Sequence, residues 1–288
     1  MQKTLIGIIG GSGLYAMDAL QNATEHAMDT PFGKPSDVIV TGQVDGINVA
    51  FLARHGRGHR LIPSEVPYRA NIHALKQLGV RYLLSLSAVG SLSEEMKPLD
   101  MVLPDQFIDL TRRRESTFFG AGAVAHTSLA QPVCPKLADV LARAIGQTQM
   151  PAEFALHRGG TYVCIEGPQF STLAESQWYR SMGAKVIGMT NMPEAKLAKE
   201  AQMAYATLAM VTDYDCWHPH EEAVTANTAI ANLMKNAGHA QLIAAAAIRI
   251  LGAELPVSSA HTALQASLIT QPGDMAPEVL ERLRVILA

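Results

Sequence analysis

With 288 residues, 48% of them hydrophobic and 17% charged, the chain is long enough for one large domain or two ordinary ones and has the material for a sizeable core. A formal net charge of −3, with lysines and arginines in no long run, argues against a nucleic-acid surface. Cys134, Cys164 and Cys216 form no CxxC, which argues against a disulfide framework or a structural zinc site and points to a reducing compartment.

The first apolar run, at 5–9, reads as a buried strand; nothing before it has the apolar region and cleavage site of a signal peptide, so a cytoplasmic protein is expected. Next comes Gly10-Gly11-Ser12-Gly13-Leu14, whose glycines let the backbone approach an anion while Ser12 adds a hydroxyl. A simple tight turn would read the same, and the spacing is neither a P-loop nor GxGxxG. Strands follow at 37–41 and 48–53, the second ending on Arg54-His55-Gly56. An arginine fork suits phosphate oxygens, and a histidine can donate beside it. A helix at 68–78 leads to a strand at 82–87, after which Ser87, Ala88 and Gly90 offer a hydroxyl, a backbone N–H and a turn. Three strand ends thus bring anion-binding groups to the sheet edge where α/β folds hold ligands. They suggest a bound phosphate rather than a nucleotide tail.

A short strand at 101–103 precedes Arg112-Arg113-Arg114, expected to cover a surface or subunit contact, and His126 in a Gly/Ala-rich loop, expected from pattern alone to be solvated. A helix at 135–146 and a strand at 161–165 lead to Glu166-Gly167-Pro168-Gln169-Phe170-Ser171. Phe170 could stack on a planar ring or simply join the core. After a helix at 172–182 and a strand at 186–188, Met189 offers a soft apolar surface and Thr190 an anion donor. A plain strand-to-helix turn, with Pro193 opening the helix at 194–202, is the other reading. The strand at 205–212 runs into Asp213 and Asp215. Residues two apart on a strand share a side, so both carboxylates are expected to emerge together at the ligand edge, unless they only cap the following loop. Such a pair of acceptors suits a ligand with ring N–H or amino groups. A long helix at 227–251, an irregular stretch at 256–274 (a tail or flap) and a helix at 277–286 close the chain.

Strands alternating with helices predict an α/β fold: a single domain with a mixed, largely parallel twisted central sheet flanked by helices. A main unit at 1–255 is expected, with 256–288 closing on the same domain. No stretch is long and apolar enough to span a bilayer, and no HExxH-like spacing suggests a metal.

Together these blocks resemble the purine nucleoside phosphorylase family of trimeric type, most closely its methylthioadenosine-cleaving branch. The matching motifs are Gly-Ile-Ile-Gly-Gly-Ser-Gly-Leu (7–14), Thr-Pro-Phe-Gly-Lys-Pro-Ser (30–36), Ala-Arg-His-Gly-Arg (53–57), Tyr-Arg-Ala-Asn-Ile (68–72), Glu-Gly-Pro-Gln-Phe-Ser (166–171), Met-Thr-Asn-Met-Pro-Glu (189–194) and Thr-Asp-Tyr-Asp-Cys-Trp (212–217). The resemblance implies a nucleoside phosphorylase fold, a homotrimer, inorganic phosphate as co-substrate, and no cofactor or metal. It implies that Ser12, Arg54, His55, Ser87, the backbone at Ala88 and Thr190 hold phosphate. Met189 would lie against the ribose, Phe170 would line the base pocket, and Asp213 and Asp215 would meet the purine. His126 would reach a neighbouring subunit's 5′ pocket, and Ser171 and Ala226 would tune that pocket. Two departures stand out: Gln169 replaces an arginine of many members, and Ser12 and Ser87 stand where some have threonine.

The implied reaction is phosphorolysis of S-methyl-5′-thioadenosine to adenine and 5-methylthioribose 1-phosphate, in purine and methionine salvage. Asp213 and His55 are the expected catalytic residues, with Asp213 raised in pKa and protonating N7 of the leaving base. A carboxylate accepts from an adenine amino group but opposes a 6-oxo group. A 6-oxopurine nucleoside or methylthioinosine phosphorylase is the alternative.

Overall fold

The computed structural model describes residues 6–11 and 19–288. In chain order its strands are β1 (Ile6–Gly10), β2 (Gln21–His26), β3 (Ile39–Val44), β4 (Ile47–Ala53), β5 (Tyr82–Ser91), β6 (Met101–Leu103), β7 (Gln106–Asp109), β8 (Leu156–Arg158), β9 (Thr161–Cys164), β10 (Ala184–Gly188) and β11 (Ala204–Asp213). Its helices are α1 (Tyr68–Gln77), α2 (Pro135–Gly146), α3 (Leu173–Ser181), α4 (Asn191–Glu200), α5 (Ala226–Ala253) and α6 (Pro277–Leu287).

The expected α/β class is borne out. The strands form one sheet in the order β2-β3-β4-β1-β5-β10-β9-β7, and β11 branches off β5 to carry β6 and then β8. β1 and β11 are buried along their whole length, as strands covered on both faces must be. Alternating side chains of β1, β5 and β11 feed two cores. Ile6, Ile8, Leu84, Leu86 and Leu208 pack with α2 and α5, while Ile9, Leu83, Tyr205 and Val211 pack with α1, α4 and α6. A third, smaller cluster joins Tyr179 of α3 to Val163, Ile187 and Trp217.

β5 changes partners along its length, and this creates the crevice. On one side it pairs with β1 only as far as Leu86, opposite Gly10, and β10 joins it only at Gly90 and Ser91. Between them Ser87, Ala88 and Val89 have β11 on the other side but, among the described residues, no strand on this one. The ends of β1 and β4 on one flank and β10 on the other wall the gap, at the strand-end position where α/β sheets bind ligands.

Beyond Pro256, whose carbonyl accepts from the Tyr82 hydroxyl at 2.9 Å, the chain packs back on the body. Leu268 bridges Ala125, Ser267 O accepts from His126 N, and Ile269 N donates to Val124 O. α6 buries Val279, Leu283 and Ile286.

Candidate active site

Arg54, His55, Ser87, Ala88, Phe170, Met189, Thr190, Asp213 and Asp215 all line one cavity of about 330 Å³ in this crevice. Ser12 lies outside the described residues. His126 and Ala226 are exposed and Ser171 half-buried, and none of the three lines the cavity of its own chain.

At one end Arg54 follows β4, its backbone N–H donating to Gly10 O and so tying two strand ends together. The side chain is 1% exposed, and its fork faces a carboxylate rather than solvent. Nε and Nη2 donate to the two oxygens of Glu194 at 2.7 and 3.0 Å, and Nη2 also to Ser85 Oγ at 2.7 Å. Nη1 donates to Leu86 O at 3.1 Å, its one acceptor among the described residues. A guanidinium nitrogen carries two hydrogens there, so Nη1 is the edge left for an anion. Burial works against the arginine's charge, yet Glu194 outweighs it and raises the pKa. Glu194, 0% exposed, also accepts from Ser85 and Tyr205 hydroxyls at 2.8 and 2.9 Å. Nothing in the sequence beyond its place in Met-Pro-Glu marks Glu194 as this counter-ion.

His55 is oriented by Leu61 O, 2.9 Å from Nδ1, and stacks on His59 with ring centroids 4.3 Å apart. Burial first, and the Arg54 charge second, lower its pKa to about 4. The ring is therefore neutral near pH 7, with Nδ1–H donating to the carbonyl. Nε2 is then an acceptor, suited to an O–H rather than to a bare anion oxygen. Ser87 Oγ and Thr190 Oγ1 stand 3.3 Å apart across the gap.

At the other end the two aspartates converge, but not by strand alternation. β11 ends at Asp213 with a register shift after Val211, and Asp215 has φ +54°. A tight turn, rather than the period of two, brings the acids together, and Asp215 N donates to Asp213 Oδ1 at 2.8 Å. Thr212 Oγ1 donates to Asp213 Oδ2 at 2.6 Å. Burial raises the Asp213 pKa to about 6 against these two bonds, with the Asp215 charge adding to it. Asp215 is raised as well, by burial, against the Ser176 and Ser171 hydroxyls. Gly90 makes room for the acid: a Cβ there would lie 2.8 Å from Asp213 Oδ1 and 2.9 Å from Ile187 Cγ2.

Between the ends, Met189 packs on Gly167 so closely that a Cβ at Gly167, where φ is +64°, would sit 2.5 Å from Met189 Sδ. Here the expectation for the arginine triplet needs correction. Arg112 and Arg113 are exposed, but the Arg114 side chain is 1% exposed and donates to Met189 O at 2.6 Å and Met192 O at 2.7 Å. The Met189 carbonyl is thereby turned to Arg114, leaving the residue's side chain to the cavity. Among the described residues, no group of three or more His, Cys, Asp or Glu side chains could hold a metal ion.

An anion end and a buried-acid end, facing each other across a strand-end crevice of this sheet, define a nucleoside phosphorylase type of protein. Residues 5–249 match the Phosphorylase superfamily, and the chain belongs to that family. It is 58% identical over 287 residues to the S-methyl-5′-thioadenosine phosphorylase of Synechocystis sp., covering 100% of this chain and 88% of the relative. It is 53% identical to the enzyme of that name from Cereibacter sphaeroides, covering 99% of this chain and 97% of the relative. A crystal structure of methylthioadenosine phosphorylase from an antarctic soil metagenomic library superposes with a TM-score of 0.95 at 60% identity, covering 100% of both chains. Methylthioadenosine phosphorylase from Schistosoma mansoni, in complex with adenine, superposes with a TM-score of 0.82 at 39% identity, over 88% of this chain and 93% of that one.

Proposed function

We propose that this chain splits S-methyl-5′-thioadenosine with inorganic phosphate, giving adenine and 5-methylthioribose 1-phosphate. The observation that carries the reading is Asp213: a carboxyl with a pKa of about 6, walled into the cavity opposite Arg54 and His55. Full-length relatives at 50–58% identity bear the name of this activity.

Phosphate sits at the Arg54 end, held by Nη1, by the Ser87 and Thr190 hydroxyls and by the Ala88 backbone, with an O–H turned to His55 Nε2. Fixing the nucleophile below C1′ removes much of the entropic cost of attack. As the C1′–N9 bond breaks, the sugar becomes oxocarbenium-like and electrons flow into the purine. Protonated Asp213 donates to N7, and acid help of this kind contributes roughly 10²–10⁴-fold. Asp215 accepts from the 6-amino group, and Phe170 covers the ring. Ala229 and Leu233 of α5 give the cavity an apolar wall that suits a methylthio group better than a hydroxyl. His126, exposed and away from its own cavity, completes a neighbour's 5′ pocket in a homotrimer, beside Ser171 and Ala226. The reaction serves purine and methionine salvage in the cytoplasm.

The test is release of adenine from methylthioadenosine with and without phosphate, with the sugar product followed by phosphorus NMR. Adenine and a sugar 1-phosphate are expected only when phosphate is present. Release without phosphate would make the protein a hydrolase, and faster cleavage of inosine or methylthioinosine would make it a 6-oxopurine enzyme.

A further inference from the structure

Arg114 lies behind the cavity wall and not on it, yet its guanidinium touches both loops that face the sugar and base. Nη1 reaches Met189 O and Met192 O at 2.6 and 2.7 Å and the Tyr68 hydroxyl at 3.1 Å. Nη2 reaches Glu166 O at 2.7 Å and Ile165 O at 3.4 Å, and Nε reaches Glu166 Oε1 at 3.1 Å. All five guanidinium hydrogens thus have acceptors on three separate segments.

The arginine is itself held in place. Glu166 Oε2 accepts the backbone N–H groups of Arg112 and Arg113 at 2.6 and 3.1 Å, and Oε1 accepts from the Ser64 hydroxyl. The base loop therefore clasps the turn that delivers the arginine, and the arginine clasps the base loop back. The loop at 189–192 is the third party. Because a peptide is planar, fixing Met189 O fixes the plane from which Thr190 departs toward the phosphate end.

We propose that Arg114 is the positioning residue that sets the spacing between the base loop at 165–168 and the sugar-and-phosphate loop at 189–192; the inference rests on the proposed phosphorolysis. It touches no reactant and acts through carbonyls. Its fork is required, because a lysine ammonium is a point donor that cannot hold both loops at once. A misplacement of about 1 Å between bound partners costs on the order of 10²-fold in rate.

The test compares wild type with Arg114→Lys, which keeps the charge, and with Arg114→Ala. For Arg114→Lys a kcat loss of roughly 10²-fold is expected, with KM for phosphate changed less than about threefold, together with faster amide hydrogen exchange in both loops of the unliganded protein. Millimolar methylguanidine is expected to restore part of the kcat of Arg114→Ala. Unchanged turnover and unchanged exchange in Arg114→Lys would overturn the proposal. So would a kcat loss in which only the overall melting temperature falls, with exchange in the two loops no different from the rest and no rescue by methylguanidine. Wild type run on methylthioadenosine and on inosine tests the proposed function separately. The variant ratio is read on whichever nucleoside is cleaved, and the exchange measurement needs neither.

Discussion

Asp213→Asn separates two consequences of burying an acid. Burial moves the carboxyl from its ordinary 3.8 to about 6. At about 1.4 kcal/mol per tenfold, ionising Asp213 inside the fold costs about 3 kcal/mol. The sign follows from the order of the two values. Below about pH 4 the group is protonated in both folded and unfolded chains, and nothing is lost. As pH rises through about 6 the unfolded chain has already released its proton, so folded stability falls. Asparagine carries no charge at any pH. Its Oδ1 can keep the Asp215 N–H, and the Thr212 hydroxyl, already 3.2 Å from Val89 O, can donate there instead. At about pH 8 the variant is therefore expected to be more stable by up to about 3 kcal/mol, or about 5 °C in Tm at roughly 2 cal/mol/K per residue. The gain should vanish near pH 4. Activity moves the other way: adenine release falls roughly 10²–10⁴-fold, with a smaller loss for the 6-oxo analogue, because the two amide hydrogens can serve N7 and the neighbouring O6 together. Thermal unfolding between about pH 4 and 8, alongside turnover of both nucleosides, measures the two effects. A variant with no pH-dependent gain in stability refutes the buried-acid argument, and one with full activity on methylthioadenosine refutes the role of Asp213.

Arg54→Met is expected to raise KM for phosphate and, by stranding Glu194 without its cation, to cost about 3–5 kcal/mol of stability. Adding Glu194→Gln should restore stability without restoring phosphate affinity, and thermal melts with phosphate titrations would show whether it does. Because His55 offers an acceptor, sulfate, which has no O–H at about pH 8, should compete up to about tenfold more weakly than arsenate, the upper value of one ordinary hydrogen bond. Equal inhibition constants would place a donor there instead. Gly90→Ala should push on Asp213 and lower kcat by at least about tenfold from disturbed alignment, leaving saturation by phosphate unchanged; steady-state kinetics in both substrates would detect the opposite pattern.

The central strands were legible because β5 and β11 are mostly apolar, interrupted before their ends only by small hydroxyl residues and Gly90, and burial on both faces leaves that signature. β2 was not, because five of its six residues are exposed and a polar edge strand has no apolar period to read. β7 and β8, Gln-Phe-Ile-Asp and Leu-His-Arg, are partly exposed and mix polar with apolar residues, whereas the equally short β6, Met-Val-Leu, is buried throughout and reads as a strand. Asp213 and Asp215 were placed together correctly, but by the wrong geometry, since a register shift and a positive φ are invisible in letters. Glu194 and Arg114 were missed for a common reason. Each is defined by a partner distant along the chain, Glu194 by Arg54 140 residues away and Arg114 by the carbonyls of Met189 and Met192. A carbonyl has no letter of its own, and an arginine beside two exposed arginines reads as surface.

The pairing of 267–270 with the stretch around Val124, Ala125 and His126 gives the last thirty-odd residues a duty outside the matched family region, which stops at residue 249. A chain shortened after Leu255 would retain every described residue that lines its own cavity, yet the loop bearing His126 would come loose from its anchor. In the proposed trimer the injured party would be the adjacent protomer, so mixing shortened with full-length chains would spread the defect to intact neighbours.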